Sequence, residues 1–363
     1  MVNVSAPGSA AMEAKGAYNK HAKLQAGGSV LALPHWENAV RSVLLDEGDQ
    51  PIVIADYGSS QGKNSLAPMR IAIEILRSRL GMDRSILVYH IDLAANDFNA
   101  LFALLDEDPD CYSRSEPNVF SCAVGKSFYE EVLPRNYVHI GWSSYSAMWI
   151  SRIPTQLLGH IYVPCGSGAA RAEFERQGAE DWKTFLTHRA NELRPEGRLV
   201  VVVPGANEDG VSGFENIMNH ANAVLDEILD EGAITVDERG RMALGVWPRS
   251  KSDLLAPFSE TCRFRNLVVE SCEMSQLPDA AWVEHARDKN KEALVNKHVG
   301  FYCSTFVPSL TAALAHSQDA DVRQAFVDRF EHGIRRRLMA DPAPINSLVG
   351  SIVLAKSGSG VGQ

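Results

Sequence analysis

Residues 52–64 read Ile-Val-Ile-Ala-Asp-Tyr-Gly-Ser-Ser-Gln-Gly-Lys-Asn, so an apolar, β-branched strand runs straight into an acidic residue and a turn punctuated by glycines. Gly58 and Gly62 let the backbone bend sharply and approach a ligand with no Cβ in the way, and Asp56 offers acceptor oxygens at the carboxyl end of the strand. The spacing is neither Gly-x-Gly-x-x-Gly nor that of a phosphate-cradling Walker loop. It favours a cofactor without a diphosphate, and S-adenosylmethionine is the commonest such guest of a Rossmann-like sheet. Taken alone, the same residues also fit an ordinary strand-to-helix turn.

A second strand adds weight to the cofactor reading. Residues 85–93 are apolar and β-branched and end at Asp92, after an amphipathic helix over residues 68–80. A carboxylate at the tip of the second strand is where a ribose diol sits in such sheets. The run Asp-Leu-Ala-Ala-Asn-Asp at 92–97 is also a helix-start signal, and its different carboxylates can serve the two roles separately.

The length of 363 residues suits one large α/β domain with an elaboration, or about two domains. A formal net charge of -10 argues against a nucleic-acid partner, which calls for clustered Lys and Arg. The run Arg335-Arg336-Arg337 has acidic neighbours and reads as a solvated helix face. No apolar run reaches the roughly 20 residues that span a bilayer. The N-terminus lacks the basic start and hydrophobic core of a signal peptide, so the expected location is cytoplasmic, without a membrane partner. Six cysteines are scattered without Cys-x-x-Cys spacing, as expected of buried thiols in a reducing compartment, and they give no metal site.

An amphipathic helix is expected to begin near Tyr18, and further strands at 137–142, 198–204, 267–271 and 347–355. Strands alternating with helices point to a mainly parallel sheet with helices on both faces. At 193–203 a helix stops, Pro-Glu-Gly turns the chain, and a fully apolar strand enters. Residues 205–262 and 286–342 hold more helix than a sheet needs and are expected to form an α-helical cap over the strand tips. The sheet domain would then comprise residues 1–204, 263–285 and 343–363.

Together, Tyr18-x6-Gln25, the run at 54–64, Asp92-Leu93 with Asn-Asp-Phe-Asn at 96–99, Ser127-Phe128-Tyr129 and Ser-Ser-Tyr-Ser-Ala-Met-Trp at 143–149 resemble the SABATH family, the salicylate, benzoate, jasmonate, indole-acetate and xanthine methyltransferases best known from plants. The resemblance covers nearly the whole chain in the right order and thins beyond about residue 260. It implies a class I methyltransferase fold: a Rossmann-like seven-stranded sheet with an α-helical cap, S-adenosylmethionine as donor with S-adenosylhomocysteine as product, and frequently a homodimer. It assigns Tyr18, Asp56, Gly58, Asn64, Asp92, Leu93, Ser127 and Phe128 to the cofactor. Asp92 would hold the ribose hydroxyls, Leu93 and Phe128 would sandwich the adenine, and Asn64 would help hold the methionine end. Gln25 and Trp149 would take the carboxylate of a small acid, while Tyr145, Met148 and, on a looser match, Trp247 would line its pocket. Ala22, Ser59 and Lys63 stand where the family commonly has serine, cysteine and proline. Lys63 or water would replace the donor lost at Ala22.

The chemistry agrees with a carboxylate acceptor. Methyl transfer from a sulfonium is an in-line displacement, and an acid of pKa roughly 4 is already ionised at neutral pH, so no general base is required. Holding its oxygen about 3 Å from the methyl supplies the catalysis by position. The indole N–H of Trp149 and the amide of Gln25 are neutral donors suited to aiming an anion. In an arbitrary protein Trp149 and Met148 read as core, Gln25 as surface, and His139, inside an apolar strand, as a satisfied buried imidazole; His160 is the other tempting base. Three alternatives compete: methylation of a purine-like or other nitrogen, which retention of both Gln25 and Trp149 opposes; a nicotinamide dehydrogenase, which lacks its glycine loop here; and a cofactor-binding protein without activity.

Overall fold

The computed structural model describes residues 23–358, so the expected roles of Tyr18 and Ala22 fall outside the described residues. Eight strands form one sheet: β1 (Ile52–Tyr57), β2 (Ile86–Asp92), β3 (Val119–Gly125), β4 (Val138–Ser144), β5 (Leu193–Gly205), β6 (Arg263–Phe264), β7 (Leu267–Gln276) and β8 (Leu348–Lys356), in the order β3-β2-β1-β4-β5-β8-β7-β6. The strands from β3 to β5 run parallel, and β8 inserts antiparallel between β5 and β7. Seven strands are the expected set. The eighth, β6, is a two-residue hairpin arm on β7.

Both faces of the sheet are buried, as near-continuous apolar strands require. Along β1, Ile52 and Ile54 belong to one core cluster and Val53, Ala55 and Tyr57 to the other; along β5, Val200 and Val202 alternate with Leu199, Val201 and Val203. Helices α1 (Lys23–Ser42) and α2 (Leu66–Leu80) cover the first face. There Trp36 meets Trp142 edge-on at 5.1 Å and donates its indole N–H to the Pro68 carbonyl at 2.7 Å, tying the two helices together. Helix α3 (Phe98–Glu107) follows β2, and α4 (Gly168–Glu192) lays Trp182 and Phe185 on the second face. Helices α5 (Glu215–Asp230), α6 (Lys291–Thr311) and α7 (Ala320–Ala340) pack on one another beyond the sheet. Arg336 and Arg337 of α7 share Glu227 of α5, and Arg335 pairs with Glu331 on its own helix, so every arginine of the basic run is engaged in an ion pair.

β3 is the strand without a clear signal in the sequence. It is an edge strand with its residues partly exposed, so its alternating pattern is diluted by polar side chains. The Pro-Glu-Gly turn lies within β5, which begins at Leu193; Glu196 adopts φ +61 there, and the register with β4 shifts between Val138 and Ile140.

Candidate active site

Neighbours of β1 lie on opposite sides, β2 and β4, so the chain reverses direction across the sheet at the tips of β1 and β4. This is the crevice where open α/β sheets bind ligands. The turn after β1 is shaped by Gly58 at φ +89 and Gly62 at φ +87. A Cβ on Gly58 would stand 1.9 Å from the hydroxyl oxygen of Ser146, which donates to the Gly58 carbonyl at 3.1 Å. Only glycine fits there, for both conformation and space.

Asp92 organises the same turn from the side of β2. Its carboxylate accepts the backbone N–H of Ser60 at 2.7 Å and of Leu93 at 2.8 Å. Burial pushes its pKa up to about 6 against these two hydrogen bonds, and the nearby Asp56 carboxylate adds to the rise. The helix-start role belongs to Asp97, which caps α3 by accepting from the Ala100 N–H. Asp56, 2 % exposed, is held from behind: its carboxylate lies 3.0 Å from Nδ1 of the buried His90, whose Nε2 lies 2.7 Å from the Tyr112 hydroxyl.

The loop after β3 carries Ser127 and Phe128. It is pinned by Arg189 and Glu192, both 0 % exposed, at the end of α4. Arg189 donates to the Phe128 carbonyl at 2.6 Å and the Glu130 carbonyl at 3.0 Å, and forks onto Glu192 at 2.9 and 2.8 Å. Glu192 also accepts the Tyr57 hydroxyl at 2.9 Å and the Val132 N–H at 2.7 Å. This buried ion pair therefore joins β1, α4 and the Phe128 loop. Sequence alone offers no sign of it, since Arg and Glu three apart on a helix usually face solvent.

Two cavities meet at Gln25 and Tyr145, which line both. The polar one runs past Asp56, Gly58, Ser59 and Asn64, where the buried hydroxyl oxygens of Ser59 and Ser60 have no hydrogen-bond partner among the described residues. Lys63 also reaches this lining, yet its ammonium is engaged with Asp108 at 2.6 Å, so it is not a free replacement for a donor missing at Ala22. The apolar cavity is walled by Met148, Phe214, Met218, Phe301 and Phe306, with Gln25 and Thr305 among its few polar groups.

Gln25 is held at this boundary by the first turn of α1. Ser29 donates to the Gln25 carbonyl at 2.9 Å, and its oxygen lies 2.6 Å from that of Ser144 at the tip of β4. Tyr145, the next residue, takes φ +56, a conformation uncommon outside glycine. Trp149 does not line the apolar cavity itself; its ring centroid lies 6.2 Å from that of Phe306, which does. Trp247 also stands outside this lining. Its neighbours Val246 and Pro248 line the cavity, but its own ring packs over Gly178 and its indole N–H donates to Asp253 at 3.2 Å. The two histidines are spent elsewhere: His139 accepts the Val53 N–H at 3.0 Å with its pKa pushed down to about 4 by burial and Arg194, and His160 bridges Tyr162 and Asn219. Among the described residues, no group of three or more His, Cys, Asp or Glu is placed to hold a metal.

Comparison with known proteins decides between the uses this geometry allows. Residues 10–356 match the model of the SAM dependent carboxyl methyltransferases. The chain belongs to this family. The SABATH resemblance in the sequence is thus a true relationship, and S-adenosylmethionine is the methyl donor. Salicylate carboxymethyltransferase of Clarkia breweri is 29% identical over 242 residues, 62% of this chain and 64% of that protein. Gibberellic acid methyltransferase 1 of Arabidopsis thaliana is 24% identical over 260 residues, 65% of this chain and 68% of that protein. The aligned stretch thus spans about two thirds of these relatives. A solved structure of loganic acid methyltransferase with SAH superposes with a TM-score of 0.76 at 21% identity, covering 96% of this chain and 99% of that one, and shows that the fold is shared.

Proposed function

We propose that this methyltransferase forms methyl esters of small, mostly aromatic carboxylic acids of the benzoate, salicylate or indole-acetate type. The observation that carries the reading is the junction of the two cavities: a polar one at the tip of β1 and an aromatic, methionine-lined one, sharing the buried amide of Gln25. Apolar walls with a few polar groups gathered at one end suit a small amphipathic acid.

S-adenosylmethionine fits the polar side, because the buried Ser59 and Ser60 hydroxyls there have no partner among the described residues and can bond a polar ligand. In this reading Asp56, Gly58 and Asn64 hold its methionine end, Asp92 its ribose, and Leu93, Ser127 and Phe128 its adenine, with Tyr18 contributing from outside the described residues. When bound, it supplies an electrophilic methyl group on a sulfonium. The chain's own task is to position the acceptor. Gln25 donates to the carboxylate from the cavity wall, and Trp149, which stands beside Phe306 outside that wall, is the second donor that the resemblance assigns; Tyr145 and Met148 confine the ring, and the packed aromatic walls exclude water. No side chain need remove a proton, in keeping with the engagement of His139 and His160 in hydrogen bonds of the fold.

Helices α5, α6 and α7 form the cap over the strand tips in this account, with residues 205–262 and 286–342 as its two segments. The resemblance supports a homodimer, and six cysteines scattered without Cys-x-x-Cys spacing suit a cytoplasmic location. No helix among the described residues is long and apolar enough to cross a membrane.

A competition assay tests the substrate class. Labelled methyl should pass to benzoic, salicylic, indole-acetic, cinnamic or farnesoic acid as a base-labile ester, and not to xanthosine. Transfer to xanthosine alone overturns the reading.

A further inference from the structure

We infer that Thr305 is a positioning residue that fixes which side of the Gln25 amide the acid meets; this rests on the reading that Gln25 receives the carboxylate. The two side chains are 280 residues apart, on α1 and α6, yet Gln25 Nε2 and Thr305 Oγ1 lie 3.1 Å apart. Both are buried, at 4 % and 5 % exposed, and both line the apolar cavity beside Phe301 and Phe306.

With the amide nitrogen turned to Thr305, Gln25 Oε1 is left buried without a partner among the described residues. An amide oxygen in that place also repels an anion. A hydroxyl is both donor and acceptor, so Thr305 can hold the amide either way round, and the choice between the oxygen and nitrogen of an amide is set by the hydrogen bonds around it. Turned over, the amide accepts the Thr305 O–H at Oε1 and directs both N–H groups away from Thr305, where a carboxylate can take them. That orientation leaves no orphaned acceptor and meets an anion with donors only. Thr305 therefore acts as acceptor in the ligand-free arrangement and as donor when an acid is bound. The same pair would disfavour a ring nitrogen that must itself be deprotonated. Such an acceptor brings a donor hydrogen, which the two outward N–H groups cannot accept.

Thr305→Val keeps the shape and removes the hydroxyl. It is expected to raise KM for the acid about tenfold, the scale of one lost hydrogen bond to a charge-binding group, with S-adenosylmethionine affinity by calorimetry unchanged. Thr305→Ser should restore KM to within about twofold of wild type, which a loss of packing would not allow. In a Gln25→Leu background, Thr305→Val should add nothing, since contacting residues that act as a unit are not additive. An acid KM within twofold of wild type in Thr305→Val, or an undiminished effect of that change in the Gln25→Leu background, overturns the inference while leaving the function standing. A Gln25→Leu variant with normal acid KM overturns the carboxylate assignment itself, and the role of Thr305 with it.

Discussion

Glu192→Ala is expected to lower the stability of the fold by about 3–5 kcal/mol, the usual cost of removing one partner of a buried ion pair. The carboxylate satisfies both Nε and Nη2 of Arg189, the Tyr57 hydroxyl and the Val132 N–H, at distances of 2.7–2.9 Å. Removing it strands a guanidinium that is 0 % exposed and cannot shed its charge. The Phe128 and Glu130 carbonyls it also binds belong to the loop after β3, so cofactor affinity should fall along with stability. Urea denaturation followed by far-UV circular dichroism measures the first effect. A loss below about 1 kcal/mol would mean that water reaches Arg189, and that the pair is not the clamp described.

The second large effect is on cofactor binding. Asp92→Ala removes the only carboxylate at the tip of β2, and two charge-assisted hydrogen bonds to ribose hydroxyls are together worth roughly 3 kcal/mol or more, a weakening of S-adenosylmethionine of about a hundredfold or greater. Wild-type affinity carries a related signature. Asp92 must be ionised to accept both hydroxyls, and its pKa is raised to about 6, so affinity should hold above pH 7 and decline as the pH falls through 6. The ligand-free fold trends the other way. Because Asp92 gives up its proton less readily folded than unfolded, its contribution to stability diminishes as pH rises from about 4 to about 6. Calorimetric titrations at pH 7.5, 6.5 and 5.5 separate these cases. Normal binding by Asp92→Ala, or pH-independent affinity in the wild type, would remove Asp92 from the site.

How far the sequence discloses this architecture depends on where each signal resides. β1, its glycine turn and β2 are local and apolar, so Asp56, Gly58 and Asp92 can be placed from the chain alone, and the structure gathers all three at the adjacent tips of β1 and β2. β3 hides because a half-exposed edge strand lacks a clean period. Arg189–Glu192 and Gln25–Thr305 depend on contacts that spacing does not announce: a polar helix that turns one ion pair inward, and two residues 280 apart. The facing of Trp247 is another feature that spacing does not announce. In the extended segment that bridges Trp149 and Val246, adjacent side chains point to opposite sides, so Val246 and Pro248 face the cavity and Trp247 faces Gly178.

The central claim is that a preformed anion is positioned rather than deprotonated. Single-turnover methyl transfer to the best acid of the panel, at saturating S-adenosylmethionine and saturating acid from pH 6 to 9, tests it most directly. The predicted rate is flat across that range, and Trp149→Phe lowers the plateau about tenfold, the value of one donor, without bending it. A wild-type rate that climbs tenfold per pH unit to a break near neutrality would reveal a protein base and contradict the account.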